Sequence, residues 1–188
     1  MGAERTKAKV VVVGDPVVGK RGLVRRSAYD PFDDRWVTTI GAKVSKKEIV
    51  LPVLLRDGTY IDLILWTMNP NVLRSPDTSL VRGAAGIVAV CDATRKKTLE
   101  DLDGIVDTVR ITSGDVPIVL AVNKCDLPQQ RQIEVPDAKR FASKYGAEFF
   151  FASALSGKNV EATFQAIGEA IVTSRRNNPP GGEAQGPP

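Results

Sequence analysis

Residues 9–21 read Lys-Val-Val-Val-Val-Gly-Asp-Pro-Val-Val-Gly-Lys-Arg, and no other stretch restricts the fold so tightly. Val10, Val11, Val12 and Val13 form a short apolar, β-branched run, the pattern of a strand buried on both faces of a parallel sheet. The run stops at Gly14; after four intervening residues come Gly19 and Lys20, and then Leu23 and Val24 open a helix. Strand, glycine loop and helix in this order frame a phosphate-binding loop, where backbone N–H groups and the helix N-terminus converge on anionic oxygens. Gly14, Asp15, Val17, Val18, Gly19 and Lys20 are the candidate contacts, with Lys20 bringing an ammonium point charge to the β- and γ-phosphates. Pro16 removes one backbone donor from the loop. The motif ordinarily closes on Ser or Thr, whose hydroxyl oxygen ligates Mg²⁺. Arg21 stands there instead, and a guanidinium has donors but no acceptor with which to hold a cation.

Further along, strand-like and helix-like stretches alternate. Residues 46–55 alternate loosely, Arg56-Asp57-Gly58-Thr59 is a hairpin turn, and residues 60–66 return as an antiparallel partner. Residues 86–91 and 117–122 are buried strands, and residues 149–151 form a short one. Leu99, Leu102, Ile105, Val106 and Val109 fall at helical spacing, with Thr98 as the expected cap. Pro136 and Gly146 bracket a second helix carrying Ala138, Phe141, Ala142 and Tyr145. Asn159 is expected to cap a last one with Val160, Phe164, Ile167 and Ile171 on one side. Residues 29–39, with Pro31, read as loop, and residues 67–78 as irregular, broken by Pro70 and Pro76. The alternation predicts an α/β fold with a mostly parallel sheet covered on both faces and its ligand at the carboxyl ends of the strands.

Composition limits the function classes. A chain of 188 residues suffices for one domain with a sizeable core, and its 43% hydrophobic and 26% charged residues are ordinary for a globular protein. The net charge of +4 is spread out, densest at Lys43, Lys46, Lys47 and at Arg95, Lys96, Lys97, so no nucleic-acid partner is expected. The absence of histidine removes His-based triads and most zinc sites. Cys91 and Cys125 lie in apolar contexts without a disulfide framework, which points to a reducing, cytoplasmic setting. No apolar run approaches the length of a membrane span and no cysteine near the C-terminus offers a lipid anchor.

Two more motifs sit at strand ends. Asn123-Lys124-Cys125-Asp126, followed by Leu127, comes after the strand that ends at Val122; Ser153-Ala154-Leu155 comes after the short strand of phenylalanines. A carboxylate such as Asp126 accepts two hydrogen bonds side by side. Guanine offers that donor pair on N1 and N2, adenine does not, and an unmet pair rejects the wrong base.

With its three motifs in this order the chain resembles a Ras-superfamily small GTPase, nearest the Rab-like branch, over about residues 8–175. The resemblance implies a P-loop NTPase (Ras-like) three-layer α/β sandwich, its mostly parallel six-stranded sheet carrying one antiparallel edge strand. Residues 1–7 would be an N-terminal extension, 8–175 the G domain and 176–188 a disordered Pro/Gly-rich tail. It also implies GTP or GDP as the ligand, with Asn123, Lys124 and Asp126 reading guanine, the lysine stacking on the base and Ala154 giving its N–H to the base oxygen. Leu127, Ser153 and Leu155 flank those contacts. Thr38-Thr39-Ile40-Gly41 resembles switch I, with Thr39 at the threonine that meets Mg²⁺ and γ-phosphate, and protein partners are implied at the switch regions.

The family's third motif, Asp-x-x-Gly-Gln, should follow Trp66, where this chain has Thr67-Met68-Asn69-Pro70-Asn71. The metal-side aspartate is either replaced by Thr67 or deleted. The glycine that meets γ-phosphate becomes Asn69 or Pro70, and the water-orienting glutamine becomes Pro70 or Asn71. Phosphoryl transfer needs both the metal and a positioned water. Arg21 and Thr67 together put Mg²⁺ binding in doubt, no residue is assigned a catalytic role, and a pseudo-GTPase acting as a partner-binding module is the first expectation. The alternatives are a working GTPase assisted by a partner and a nucleotide-free scaffold. Arg21 itself either supplies the charge that Mg²⁺ would, or points to solvent.

Overall fold

The computed structural model describes residues 6–27, 37–38, 47–70 and 79–178, of which 37–38 and 47–49 are described as backbone only. The valine run forms β1 (Thr6–Val13). In chain order there follow α1 (Lys20–Ser27), β2 (Val37–Thr38), β3 (Lys47–Leu54), β4 (Tyr60–Thr67), β5 (Gly86–Asp92), α2 (Lys97–Glu100), α3 (Leu102–Ser113), β6 (Ile118–Asn123), a 3₁₀ turn (Pro128–Gln130), α4 (Val135–Tyr145), β7 (Glu148–Phe151) and α5 (Val160–Asn177). The sheet runs β2-β3-β4-β1-β5-β6-β7. β4, β1, β5, β6 and β7 are mutually parallel, and β3 pairs antiparallel with β4. The six longer strands are the expected set with one antiparallel member. The two residues of β2 add a short seventh strand outside β3, inside a stretch expected to be loop.

Consecutive valines serve opposite faces because side chains alternate across a strand. Val10 and Val12 pack with Leu23 and Val24 of α1 and with Phe164, Ile167 and Ile171 of α5. Val11 and Val13 pack with Leu102, Val106 and Val109 of α3 and with Phe141 and Tyr145 of α4. A helix layer on each face of the sheet completes the three-layer sandwich.

Several local expectations change. Thr98 does not cap the long helix: it lies within α2, where its hydroxyl donates to Arg95 O at 2.7 Å and accepts the Asp92 N–H at 2.9 Å. Asn159 holds the N-cap position of α5 in a left-handed conformation, φ 54°, but its side chain donates to Phe151 O at 2.8 Å instead of capping. Thr6 and Lys7 pair with Ile61 and Asp62, and Arg176 and Asn177 still belong to α5. Pro136 and Gly146 bracket α4 as expected, Gly146 closing it at φ 62°. The parallel strands all end on one edge of the sheet, and the loops after β1, β5, β6 and β7 lie there.

Candidate functional site

The loop after β1 is shaped by two close approaches. At Gly14, φ 142°, a Cβ would stand 2.1 Å from Val90 O; at Gly19, φ 95°, it would stand 2.3 Å from Asn123 Nδ2. Only glycine fits at either place. Between them Val18 is buried, while Pro16 and Val17 are exposed at the loop's tip. Lys20 opens α1 with 6% of its surface exposed, its Nζ donating to Gly14 O and Asp15 O, each at 2.6 Å. Burial pushes its ammonium down to about 8, Asp15 opposing this and the nearby charge of Arg21 adding to it. A buried cation whose hydrogen bonds go only to carbonyls has room for an anionic partner.

The base-side loops lock onto this one through Asn123, which is 1% exposed. Its Nδ2 donates to Val18 O at 2.8 Å and its Oδ1 accepts the Ala154 N–H at 3.0 Å. The 153–157 loop also packs on α1, where a Cβ at Gly22 would stand 3.1 Å from Ala154 Cβ. Ser153 Oγ donates to Asp126 Oδ1 at 2.5 Å and accepts the Ser156 N–H at 3.0 Å, which fixes the carboxylate's orientation. Leu127 and Leu155 are exposed on the same two loops. The sequence-expected residues of the phosphate and base motifs therefore form one connected group. Thr39 and Asn71 lie outside the described residues.

Lys124 takes a left-handed conformation, φ 65°, and its Nζ reaches Asp92 Oδ2 at 2.6 Å. Sequence reasoning missed Asp92. This carboxylate, 1% exposed at the end of β5, also accepts the Thr94 N–H at 3.0 Å and the Thr94 hydroxyl at 2.7 Å. Burial alone would raise its pKa, but the hydrogen bonds from Lys124 and Thr94 prevail and hold it below the usual carboxylate range. A charged residue ending an otherwise apolar strand, at the ligand edge of an α/β sheet, was the clue available in sequence.

On the metal side, β1 and β4 pair without interruption to Val12↔Thr67, so Thr67 is the strand residue that follows Trp66. Met68 turns into the core and gives its N–H to Val12 O at 3.0 Å. Arg21 is exposed on the first turn of α1 and makes no side-chain hydrogen bond or ion pair among the described residues. Mg²⁺ prefers hard oxygen ligands in octahedral array. Among the described residues this edge offers it a guanidinium, an ammonium, the neutral Thr67 and one carboxylate, Asp15, while Asp92 and Asp126 are engaged by Lys124 and Ser153. Among the described residues no group of three or more Asp, Glu, Cys or His could hold a metal. Among the described residues, the position after Lys20 therefore carries no oxygen ligand for the ion.

A glycine loop closing over a buried lysine, tied by Asn123 to a carboxylate-bearing loop, defines a P-loop nucleotide-binding α/β domain. Residues 9–173 match the Ras family. The chain is 33% identical over 176 residues to Ras-related protein RABD2c of Arabidopsis thaliana, covering 93% of this chain and 85% of that protein. It is 33% identical over 167 residues to Ras-related protein Rab-8B of Bos taurus, at 88% and 78% coverage, and 30% identical over 166 residues to Rab-13 of Bos taurus, at 87% and 79%. The chain belongs to the Ras family, as a Rab-like small GTP-binding protein.

Proposed function

We propose that this Rab-like protein binds GTP and GDP, hydrolyses GTP very slowly or not at all, and works as a partner-binding module. The observation that carries the binding half is Asn123, whose side chain joins the phosphate loop at Val18 to the base loop at Ala154. That single residue sets the distance between phosphate and base subsites. Asp126, oriented by Ser153, is the acceptor for guanine N1–H and N2–H₂, and Lys124, held at its tip by Asp92, offers its aliphatic stem to the base face. Gly14, Asp15, Val17, Val18, Gly19 and Lys20 surround the phosphates, with Ala154, Leu127 and Leu155 beside the base.

The catalytic half is supported by what replaces the reacting machinery. Thr67 follows Trp66 in an unbroken strand register, which favours replacement of the aspartate over its deletion. Pro70 has no N–H for a γ-phosphate oxygen. Neither change touches the base-side residues. Protein partners would meet the switch segments, and the free thiols Cys91 and Cys125 suit a cytoplasmic setting. Among the described residues no helix is long and apolar enough to cross a membrane.

The test is a calorimetric titration with GDP, GTP, ADP and ATP, followed by single-turnover analysis of bound GTP. Binding restricted to guanine nucleotides, with GTP recovered intact, is the expected result. Failure to bind GDP or GTP would leave the scaffold reading, and turnover at rates ordinary for an assisted GTPase would restore the enzyme reading.

A further inference from the structure

We propose that Arg21 takes the place of Mg²⁺ in this site, so that the protein holds its guanine nucleotide through the β-phosphate without a divalent metal. The inference rests on the guanine-nucleotide reading above and adds the charge that neutralises the phosphates. Arg21 is the second residue of α1, directly after Lys20, whose Nζ lies 2.6 Å from both Gly14 O and Asp15 O. The two cations are close enough for the charge of Arg21 to weigh on the Lys20 ammonium. Asp15 offsets part of this repulsion at the helix N-terminus, and an anion seated between or beside the two cations relieves the rest. Arg21 is exposed and, among the described residues, no carboxylate pairs with it, so its donor fork is available to an incoming ligand.

Other uses of this residue fit less well. A structural ion pair would need a partner, and Arg21 makes none among the described residues: Asp92 and Asp126 are held by Lys124 and Ser153, and Asp15 forms no ion pair with it. A cation ligand it cannot be, for want of an acceptor. A planar guanidinium matches two phosphate oxygens at once, which a lysine cannot do. Phosphate charge that the family neutralises with a metal is here met by Arg21 beside Lys20.

The experiment measures GDP affinity of the intact protein by calorimetry, with EDTA and with Mg²⁺, for the wild type and for Arg21→Ser, Arg21→Lys and Arg21→Ala. Paramagnetic Mn²⁺, followed by its electron resonance, reports directly on metal held in the complex. For the wild type, affinity within about twofold in the two buffers and no Mn²⁺ retained by the protein–GDP complex are expected. In EDTA, Arg21→Ala and Arg21→Ser should lose about tenfold to a hundredfold, the worth of a charge-assisted contact. Arg21→Lys should keep part of the affinity, and Arg21→Ser should recover part of it on adding Mg²⁺. Circular dichroism confirms that each variant is folded, as expected for an exposed position. Wild-type binding abolished by EDTA, or undiminished binding by Arg21→Ala without metal, overturns the surrogate role and leaves guanine recognition standing. Absence of GDP binding in both buffers overturns both readings.

Discussion

Asn123 Nδ2 donates to the carbonyl oxygen of Val18 at 2.8 Å, across 105 residues of chain. Its Oδ1 meanwhile accepts the Ala154 N–H, so one buried amide holds together the loops after β1, β6 and β7. The phosphate and base motifs thus share a structural member, and each loop is positioned by the others. Losing that member should be felt at both subsites.

Asn123→Ala leaves the Ala154 N–H and the Val18 carbonyl without their partner. The expected loss is about 1–3 kcal/mol of folding stability, the cost of unmet buried polar groups. It should lower the urea midpoint and weaken GDP and GTP equally, because both share the base. Unchanged stability would mean that the loops are held apart from this amide.

Asp92 should act through Lys124. Its pKa is depressed in the folded state, so the stability it contributes is present above the unfolded carboxylate value of about 3.9 and is lost as pH falls through the folded value. Asp92→Asn should therefore be less stable than the wild type at pH 7, with the gap closing on acidification below about pH 4. Urea midpoints at a series of pH values measure it. A gap independent of pH would point to packing instead of charge.

Lys20 gives the same sign in a more alkaline window, for the opposite reason: its charged form is disfavoured by burial. Its folded pKa of about 8 lies below the ordinary 10.5, so between those values the unfolded chain binds more protons and the unliganded protein gains stability as pH rises. Phosphate reverses the burial penalty by supplying a counter-charge. GDP affinity should then be flat below pH 8 and fall about tenfold per unit above it, with proton uptake on binding. Calorimetry in buffers of different ionisation heat reads that proton, and Lys20→Met should abolish it.

Asp126 is the residue expected to choose the base. Asp126→Asn replaces an acceptor by an amide that is half donor, which mismatches guanine N2–H₂ and suits xanthine, where a carbonyl stands at that carbon. GDP affinity should drop by about a hundredfold or more while xanthosine diphosphate gains. Equal losses for both nucleotides would remove Asp126 from base recognition.

The legible part of this molecule was whatever side chains encode locally. Four valines, Gly14 and Gly19 announce a central strand and a loop whose geometry no Cβ permits. Arg56-Asp57-Gly58-Thr59 announces the β3–β4 hairpin, closed by the Leu55 N–H to Thr59 O at 2.8 Å. Less legible were features decided by partners distant in sequence. The short strand β2 exists through backbone pairing with Lys47 and Glu48, and Val37 and Thr38, though β-branched, are too few to show a strand period. Thr98 and Asn159 have good capping chemistry, but each finds a competing acceptor, at Arg95 O and Phe151 O. The role of Asp92 emerges only when β5 and β6 lie side by side and Lys124 bends back at positive φ.

One measurement bears most directly on the account. The purified protein is loaded with GTP, freed of excess nucleotide and incubated, and the nucleotide still bound is released by denaturation and identified by chromatography. The account predicts that guanine nucleotide is retained and that it is still GTP after many times the period in which an assisted GTPase would have converted it. Recovery of GDP would show that Arg21, Thr67 and Pro70 leave hydrolysis intact, and recovery of no guanine nucleotide would show that Asn123, Lys124 and Asp126 do not form a working base site.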